Sequence, residues 1–258
     1  MYKPFDLTGK VALITGGNGG IGLGMAEALA QSGADIVIWG MNQTKNAAAA
    51  ETLKAYGTRV SVRRVDVSKE AEVAAGMEAA LKEMGRIDTV IANAGIGGGA
   101  PITEMTTELF HRVHAVNEDA VFWTFREAAK HMIARAKDGD PGGSLVVMAS
   151  TAGIEGAARN VAYGASKGAV MSMARALSVE LARYGIRAKS IAPGWIATEM
   201  TAGAQQSPVF TEKVIPRVPM RRWGQPEDFG GIAVYLASDA SGYHTGETFV
   251  IDGGYTKF

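Results

Sequence analysis

The chain has 258 residues, of which 47% are hydrophobic and 20% are charged, a composition typical of a globular protein. Its 26 basic side chains balance 26 acidic ones, so we expect neither a nucleic-acid nor a membrane partner, because such binding needs a surplus of positive charge. The chain contains no cysteine, which excludes disulfides and thiolate metal ligands.

Seven short apolar runs predict strands. In chain order they are VALIT (11–15), ADIVIW (34–39), RVSVRRV (59–65), DTVIA (88–92), SLVVMA (144–149), RAKSIA (187–192) and ETFVID (247–252). Helical periodicity follows the first run, and further helices are predicted over 71–84, 104–136 and 161–184. Strands that alternate with helices predict an α/β protein with a doubly wound, mostly parallel sheet of about seven strands and helices on both faces.

The stretch TGGNGGIG, from Thr15 to Gly22, joins the first predicted strand to the first predicted helix. At such a junction, backbone N–H groups and the positive end of the helix can face a phosphate. The spacing of Gly16, Gly20 and Gly22 differs from the common G-x-G-x-x-G pattern. On its own, the stretch is compatible with a nucleotide cradle and with a flexible turn.

Several polar residues follow the ends of later strands. Tyr163 and Lys167 stand four residues apart in YGASK, which places both side chains on one face of a helix. Ser150 ends the SLVVMA run, NAG (93–95) follows DTVIA, and Asn117 lies in the helical stretch HRVHAVNEDAVFWTF. Ligands of open α/β sheets bind at the carboxyl ends of the strands, so these residues are candidates for one site.

Taken in order, TGxxxGxG, NAG, an Asn in a V-N segment, a Ser thirteen residues before a Tyr, YxxxK and PGWIAT resemble the pattern of the short-chain dehydrogenases/reductases. The resemblance covers essentially the whole chain. It implies a Rossmann-like fold and reversible hydride transfer between NAD or NADP and the carbon of a secondary alcohol or ketone. It also implies a single domain over residues 1–258, with a cofactor half at about 1–150 and catalytic and substrate elements at about 150–258, and a homotetramer.

The resemblance assigns catalytic roles to four residues. Tyr163 is the general acid/base, Lys167 lowers its pKa and holds the nicotinamide ribose, Ser150 polarises the substrate oxygen, and Asn117 bends its helix and supports a water chain. Bringing a tyrosine pKa from about 10 to about 7 takes about 4 kcal/mol. An ammonium about 4 Å away supplies about 4 kcal/mol at an effective dielectric near 20, so we expect Lys167 to lower the pKa of Tyr163.

The resemblance also implies the residues that bind the cofactor. These are Gly16, Asn18, Gly20, Ile21 and Gly22 at the pyrophosphate, Asp66 and Val67 at the adenine, Asn93, Ala94 and Gly95 on the adenosine ribose side, Tyr163 and Lys167 at the nicotinamide ribose, and Pro193, Gly194, Ile196 and Thr198 at the carboxamide.

In dinucleotide-binding folds, an acidic residue at the end of the second strand binds the ribose 2′-hydroxyl and favours NAD. Gly40 occupies this position in the chain, so the acid is missing. The next position, often arginine in users of NADP, is Met41. Lys45 is either solvated or within reach of a 2′-phosphate. The choice between NAD and NADP therefore stays open.

Candidates for substrate contacts are Ser150, Ile154, Glu155, Asn160 and Trp195. The small and polar residues after Thr198 predict a mobile lid. The stretches FDLTGKVALITGG and GMAEALAQSGADIV resemble sugar-acid dehydrogenases of the family, so a sugar, sugar acid or other hydroxylated small molecule is the expected substrate. The alternatives are a 3-oxoacyl reductase and a non-catalytic dinucleotide sensor on the same fold.

No metal site is expected, because the four histidines do not show metal-ligand spacing. No apolar run reaches the length of about 18 residues that spans a bilayer, and the opening stretch MYKPFDLTGK lacks the apolar core of a signal peptide. We therefore expect a cytoplasmic protein.

Overall fold

The structure, a computed structural model, describes residues 3–257. Seven strands form in this range: β1 (Val11–Thr15), β2 (Asp35–Trp39), β3 (Val60–Arg63), β4 (Thr89–Ala92), β5 (Gly143–Met148), β6 (Ile186–Pro193) and β7 (Thr248–Ile251). They build one sheet in the order β3-β2-β1-β4-β5-β6-β7, and every pairing is parallel. This order is that of a Rossmann-like sheet, which confirms the predicted fold class.

The described helices are α1 (Gly20–Gln31), α2 (Gln43–Lys54), α3 (Glu70–Met84), α4 (Thr107–His114), α5 (Ala120–Lys137), α6 (Val161–Leu181), α7 (Ala202–Gln205), α8 (Pro208–Val214) and α9 (Gly230–Ala237). Buried side chains of α3, α5 and α6 pack on one face of the sheet, and those of α1, α2 and α9 pack on the other. Strand residues alternate between the two cores: Val11 and Leu13 face the first, Ala12 and Ile14 the second.

The helices differ from the sequence predictions at three places. The helix expected over 104–136 is divided into α4 and α5 by a π-helical turn, Ala115–Asp119. Helices α2 and α9 were not predicted, because the run of alanines in α2 hides its few buried positions and α9 is apolar almost throughout, which leaves no helical period to detect. The segment predicted as a lid contains α7 and α8. None of the helices in residues 3–257 has the length and apolarity that a bilayer crossing requires.

The sheet order places the carboxyl ends of β1 and β4 side by side. From β1 the chain continues into β2 on one side, whereas β4 is followed by β5 on the other. This reversal of direction opens a crevice beyond the strand ends, which is where open α/β sheets bind ligands. The glycine-rich turn and the NAG segment both begin at this crevice.

Candidate active site

Hydrogen bonds join the glycine-rich turn to the NAG segment. Thr15 Oγ1 accepts from the backbone N–H groups of Asn93 and Ala94, each at 3.0 Å. Asn93 Nδ2 in turn donates to the carbonyl oxygens of Thr15 at 3.0 Å and Gly16 at 3.2 Å. A Cβ at Gly22 would lie 2.5 Å from both Asn93 Nδ2 and the Gly16 oxygen. Only glycine fits there, so the first turn of α1 can approach the NAG segment.

The start of α1 is suited to an anion. Its N-cap residue, Gly19, provides no side-chain cap, and the first turn carries no acidic side chain. The first N–H groups of a helix lack intrahelical partners, and the positive end of the helix dipole attracts negative charge. Thr198 adjoins this turn, since a Cβ at Gly20 would lie 3.3 Å from its Cγ2. The residues present therefore fit the pyrophosphate of a dinucleotide.

At the end of β2, two amide side chains surround Gly40. Asn18 Nδ2 donates to Asn46 Oδ1 at 2.6 Å, and Asn46 Nδ2 donates to the Gly40 carbonyl oxygen at 2.9 Å. A Cβ at Gly40 would collide with both amides. Any residue larger than glycine at position 40, including an acidic one, would therefore require Asn18 to move.

The other predicted cofactor residues near this end lie along the same crevice. Met41 is exposed, and Lys45 forms an ion pair with Glu199 from the segment after Thr198. Val67 is buried, and the Asp66 carboxylate accepts a hydrogen bond of 2.7 Å from the Ser68 hydroxyl. The pair with Glu199 means that Lys45 is not a free cation in this structure.

On the nicotinamide side, the predicted residues follow the end of β6. Pro193 is the last residue of that strand, and the Gly194 N–H donates to the Ile251 carbonyl oxygen at 3.0 Å. Ile196 is buried and pairs in a short bridge with Gly224. The PGWIAT segment is thus fixed to β7 and to a later loop.

Three of the predicted catalytic residues meet at the carboxyl end of β5. Tyr163 and Ser150 line the same cavity. Lys167 is 4% exposed, its Nζ donates to the Met148 carbonyl oxygen at 2.7 Å, and it lies 5.6 Å from the centroid of the Tyr163 ring. A Cβ at Gly95 would lie 3.4 Å from Lys167 Nζ, so the NAG segment adjoins this group.

Burial shifts the pKa values of the Tyr163–Lys167 pair. It raises the pKa of Tyr163, and the nearby Ser150 side chain acts in the opposite direction. Burial also lowers the pKa of Lys167 to about 8. The expectation that Lys167 brings the pKa of Tyr163 down is therefore wrong for this structure, because desolvation disfavours the charged form of each group.

Asn117 lies in the π-helical turn and is fully buried. Its Oδ1 accepts from the Ile96 N–H at 2.8 Å, and its Nδ2 donates to the Ile96 carbonyl at 3.0 Å and to Ser166 Oγ at 3.2 Å. Ser166 Oγ donates to the Tyr163 carbonyl at 2.8 Å. Asn117 therefore connects the chain after NAG to the first turns of α6.

Two positioning residues were missed by sequence reasoning. Thr15 opens the TGxxxGxG pattern and holds the NAG segment, and Ser166 lies between Tyr163 and Lys167 in YGASK and accepts a hydrogen bond from Asn117. Their positions inside the motifs were the available signal. The spacing within each motif does not indicate which distant residue the hydroxyl of Thr15 or of Ser166 contacts.

A cavity of about 340 Å³ opens beside Tyr163, a size suited to a small molecule. The predicted residues that line it are Ser150, Glu155, Asn160, Tyr163 and Trp195. Ile154 does not line it and is 52% exposed. Met200 and Tyr255 also line the cavity, and Tyr255 was not predicted.

Known proteins resemble the chain along its whole length. A family model described as Enoyl-(Acyl carrier protein) reductase matches residues 16–256. The 2-dehydro-3-deoxy-D-gluconate 5-dehydrogenase of Dickeya dadantii (strain 3937) is 38% identical over 255 residues, which are 99% of this chain and 98% of that protein. The 3-oxoacyl-(acyl-carrier-protein) reductase of Chlamydia pneumoniae is 34% identical over 250 residues, with coverage of 97% and 98%.

Two solved structures also match almost the whole chain. A gluconate 5-dehydrogenase from Burkholderia cenocepacia J2315, in complex with NADP and tartrate, has a TM-score of 0.93 at 35% identity, with coverage of 99% of this chain and 98% of that one. A short-chain type dehydrogenase/reductase from Mycobacterium marinum has a TM-score of 0.92 at 35% identity, and 98% of each chain is covered.

Proposed function

Because the chain belongs to the short-chain dehydrogenase/reductase family, we propose that Tyr163, Ser150 and Lys167 carry out its chemistry on a small hydroxylated substrate. The family membership confirms the sequence prediction and makes the protein an NAD(P)-dependent oxidoreductase acting on a CH–OH group. The observation that carries the proposed roles is the position of Tyr163 and Ser150 together on the wall of the cavity, beside Lys167 and the NAG segment.

In the proposed mechanism, the bound nicotinamide supplies or accepts the hydride. During reduction, Tyr163 Oη donates its proton to the carbonyl oxygen, and during oxidation it takes the proton back. The Ser150 hydroxyl donates a hydrogen bond to the same oxygen and stabilises the negative charge that develops on it. Lys167, held by the Met148 carbonyl, binds the nicotinamide ribose.

Asn117 acts as a positioning residue. It fixes the backbone of Ile96 through two hydrogen bonds and reaches the start of α6 through Ser166. Both segments carry groups of the proposed site, so Asn117 keeps Lys167 and the NAG segment in register. The water chain that the family resemblance implies is a further proposal for this residue.

We propose the other predicted cofactor residues in the roles given above, with the start of α1 at the pyrophosphate and the segment Pro193–Thr198 at the carboxamide. The uncapped helix end supports the first role. The contact between Gly20 and Thr198 supports the second, because it brings the two segments together.

For the substrate, we propose a hydroxylated small molecule. The relative with the higher identity acts, by its name, on a sugar-acid derivative, and the relative named for a 3-oxoacyl substrate is less similar. A non-catalytic sensor would gain nothing from Tyr163, Ser150 and Lys167 placed together at one cavity, so catalysis is favoured over sensing.

The variant Tyr163→Phe tests the assignment. It keeps the ring and removes only the hydroxyl, so kcat/KM on a reducible ketone should fall at least about 100-fold, the usual contribution of general acid/base catalysis. Binding of NADPH, followed by its fluorescence, should change less than threefold. Tyr243→Phe is the matched control, because the Tyr243 side chain is fully exposed.

Two outcomes contradict the proposal. Near-normal turnover by Tyr163→Phe rules out its acid/base role. Cofactor binding by the unaltered protein without reduction of any ketone in a broad panel favours the sensor.

We further propose a homotetramer, a single domain over residues 1–258 and a cytoplasmic location. Exposed apolar side chains on two long helices, Phe122 (48% exposed) and Val179 (82% exposed), support association. Sedimentation velocity measures the assembly, and a monomer at micromolar concentration would contradict it.

A further inference from the structure

Among the described residues that line the cavity beside Tyr163, Glu155 is the one with a charged side chain. Glu155 lines the cavity, whereas no lysine, arginine or histidine of the described chain does. Its backbone is fixed because its N–H donates to the Thr151 carbonyl at 2.8 Å. Within residues 3–257, the Glu155 carboxylate has neither an ion-pair partner nor a hydrogen-bond donor.

Aromatic rings form much of the remaining wall. Trp195 and Tyr255 both line the cavity, with ring centroids 6.4 Å apart and an interplanar angle of 87°. Tyr163 contributes a third ring. The face of an aromatic ring attracts a cation and does not attract an anion. The aromatic residues of the wall and the Glu155 carboxylate therefore both favour a positively charged ligand.

Three basic side chains beside the cavity lie outside its lining. Lys167 Nζ is 5.6 Å from the centroid of the Tyr163 ring and donates to the Met148 carbonyl, on the side of the groups proposed for proton transfer. The Arg217 guanidinium stands 4.9 Å from the centroid of the Tyr255 ring, but Arg217 does not line the cavity. Arg159 precedes the lining residue Asn160, and it is exposed and also absent from the wall. A ligand carboxylate beside Glu155 would therefore meet no cationic side chain among the described residues of the lining.

We propose, on the basis of the proposed function, that Glu155 sets the charge preference of this enzyme. The preferred substrate is a polyhydroxylated ketone or alcohol that carries an ammonium group, a neutral polyhydroxylated molecule is next, and a sugar acid is disfavoured. Like charges brought together in a partly enclosed site repel, whereas an ammonium group would pair with Glu155 and lie against the rings. The chain thereby departs from the sugar acids that its relatives are named for.

Three ketones of one shape test this preference. 1-Amino-1-deoxy-D-fructose, D-fructose and 2-keto-D-gluconate share the same ketone and hydroxyl groups and differ in the group next to the ketone, which is cationic, neutral or anionic. We expect kcat/KM for the amino ketose to exceed that for the keto acid at least about 10-fold, which corresponds to about 1.4 kcal/mol. The difference should lie in KM and shrink as ionic strength rises.

Variants at Glu155 and at two other positions locate the cause. Glu155→Gln keeps the shape and removes the charge, so the ratio between amino ketose and keto acid should fall below about threefold. Glu180→Gln, an exposed carboxylate on α6, should leave the ratio unchanged. Arg217→Gln should also leave it unchanged, because that guanidinium is outside the lining.

The outcomes separate the charge preference from the reaction itself. The inference is overturned if the unaltered enzyme prefers the keto acid, if Glu155→Gln retains the ratio while its circular dichroism shows a folded chain, or if Arg217→Gln abolishes turnover of the keto acid alone. If none of the three ketones is reduced, the proposed function on hydroxylated ketones fails, and the charge preference falls with it.

Discussion

Replacing Lys189 with methionine should make the protein more stable at neutral pH. Lys189 lies within β6 and is fully buried. Its Nζ is 3.3 Å from the Leu236 carbonyl, 3.4 Å from Ser144 Oγ and 3.5 Å from Ser241 Oγ, and the described residues give it no carboxylate partner. Burial, together with the nearby charge of Arg187, lowers the pKa of Lys189 to about 6.

The magnitude follows from the difference between the folded and unfolded pKa values. In the unfolded chain, the lysine titrates near 10.4, so between about pH 6 and pH 10 the unfolded state binds the extra proton and stability rises with pH. At about 1.4 kcal/mol per pKa unit, keeping Lys189 neutral costs about 5 kcal/mol at pH 7 and about 2 kcal/mol at pH 9. Below pH 6 the cost is constant at its full value.

Methionine has a similar length and needs no proton. The Leu236 carbonyl keeps its hydrogen bonds from Ser144 Oγ at 2.7 Å and Arg187 Nη1 at 3.1 Å, so the substitution leaves that acceptor satisfied. We expect Lys189→Met to raise the free energy of unfolding by several kcal/mol at pH 7, with the gain smaller by about 3 kcal/mol at pH 9.

Urea unfolding at pH 7 and pH 9, followed by tryptophan fluorescence at equal protein concentration, measures both differences. Lys137→Met is the control, because Lys137 is exposed at the end of α5. A Lys189→Met protein that is less stable at pH 7, or whose gain does not depend on pH, would refute the reasoning. A gain that does not depend on pH would mean that Lys189 keeps its proton in the folded protein.

Two further predictions concern the cofactor. Gly22→Ala should weaken the binding of both NADH and NADPH by at least about 10-fold, because the added Cβ would lie 2.5 Å from Asn93 Nδ2 and displace the phosphate cradle. Gly231→Ala is the control, since a Cβ there meets nothing within 4 Å. Equal Kd values for the Gly22→Ala variant and the unaltered protein would contradict the cradle. The unaltered protein should bind NADPH at least as tightly as NADH, because no acid at Gly40 excludes the 2′-phosphate. A fluorescence titration that favours NADH more than tenfold would instead mean that the Asn18–Asn46 pair excludes the phosphate.

The sequence predicted those features that depend on local spacing. Tyr163 and Lys167 are four residues apart on one helix, and Ser150 follows the end of a strand, so their meeting required only the right fold. The seven strands were found because each is a short apolar run between helical stretches. The bounds shifted by a residue or two at most strand ends, where local pattern gives little information.

Features that depend on long-range packing could not be predicted. Thr15 bonds Asn93, 78 residues later in the chain, and Tyr255 faces Trp195 across the cavity. Lys189 lies in the predicted strand RAKSIA, where a polar residue suggests a position that faces solvent. In the structure, helices cover both faces of the sheet, so the Lys189 side chain is buried. The pKa of Tyr163 was wrongly expected to fall because the sequence does not report how deeply the pair is buried.

Reaction and substrate are determined by different parts of this fold. The groups proposed for proton transfer, Tyr163 and Lys167, stand on α6, and their helix packs directly on the sheet. Glu155 lies instead in the turn after β5, and Trp195 and Tyr255 lie on later connecting segments. Loops can change without disturbing the sheet or its helices. A relative 38% identical to this chain can therefore share its reaction and act on a different substrate.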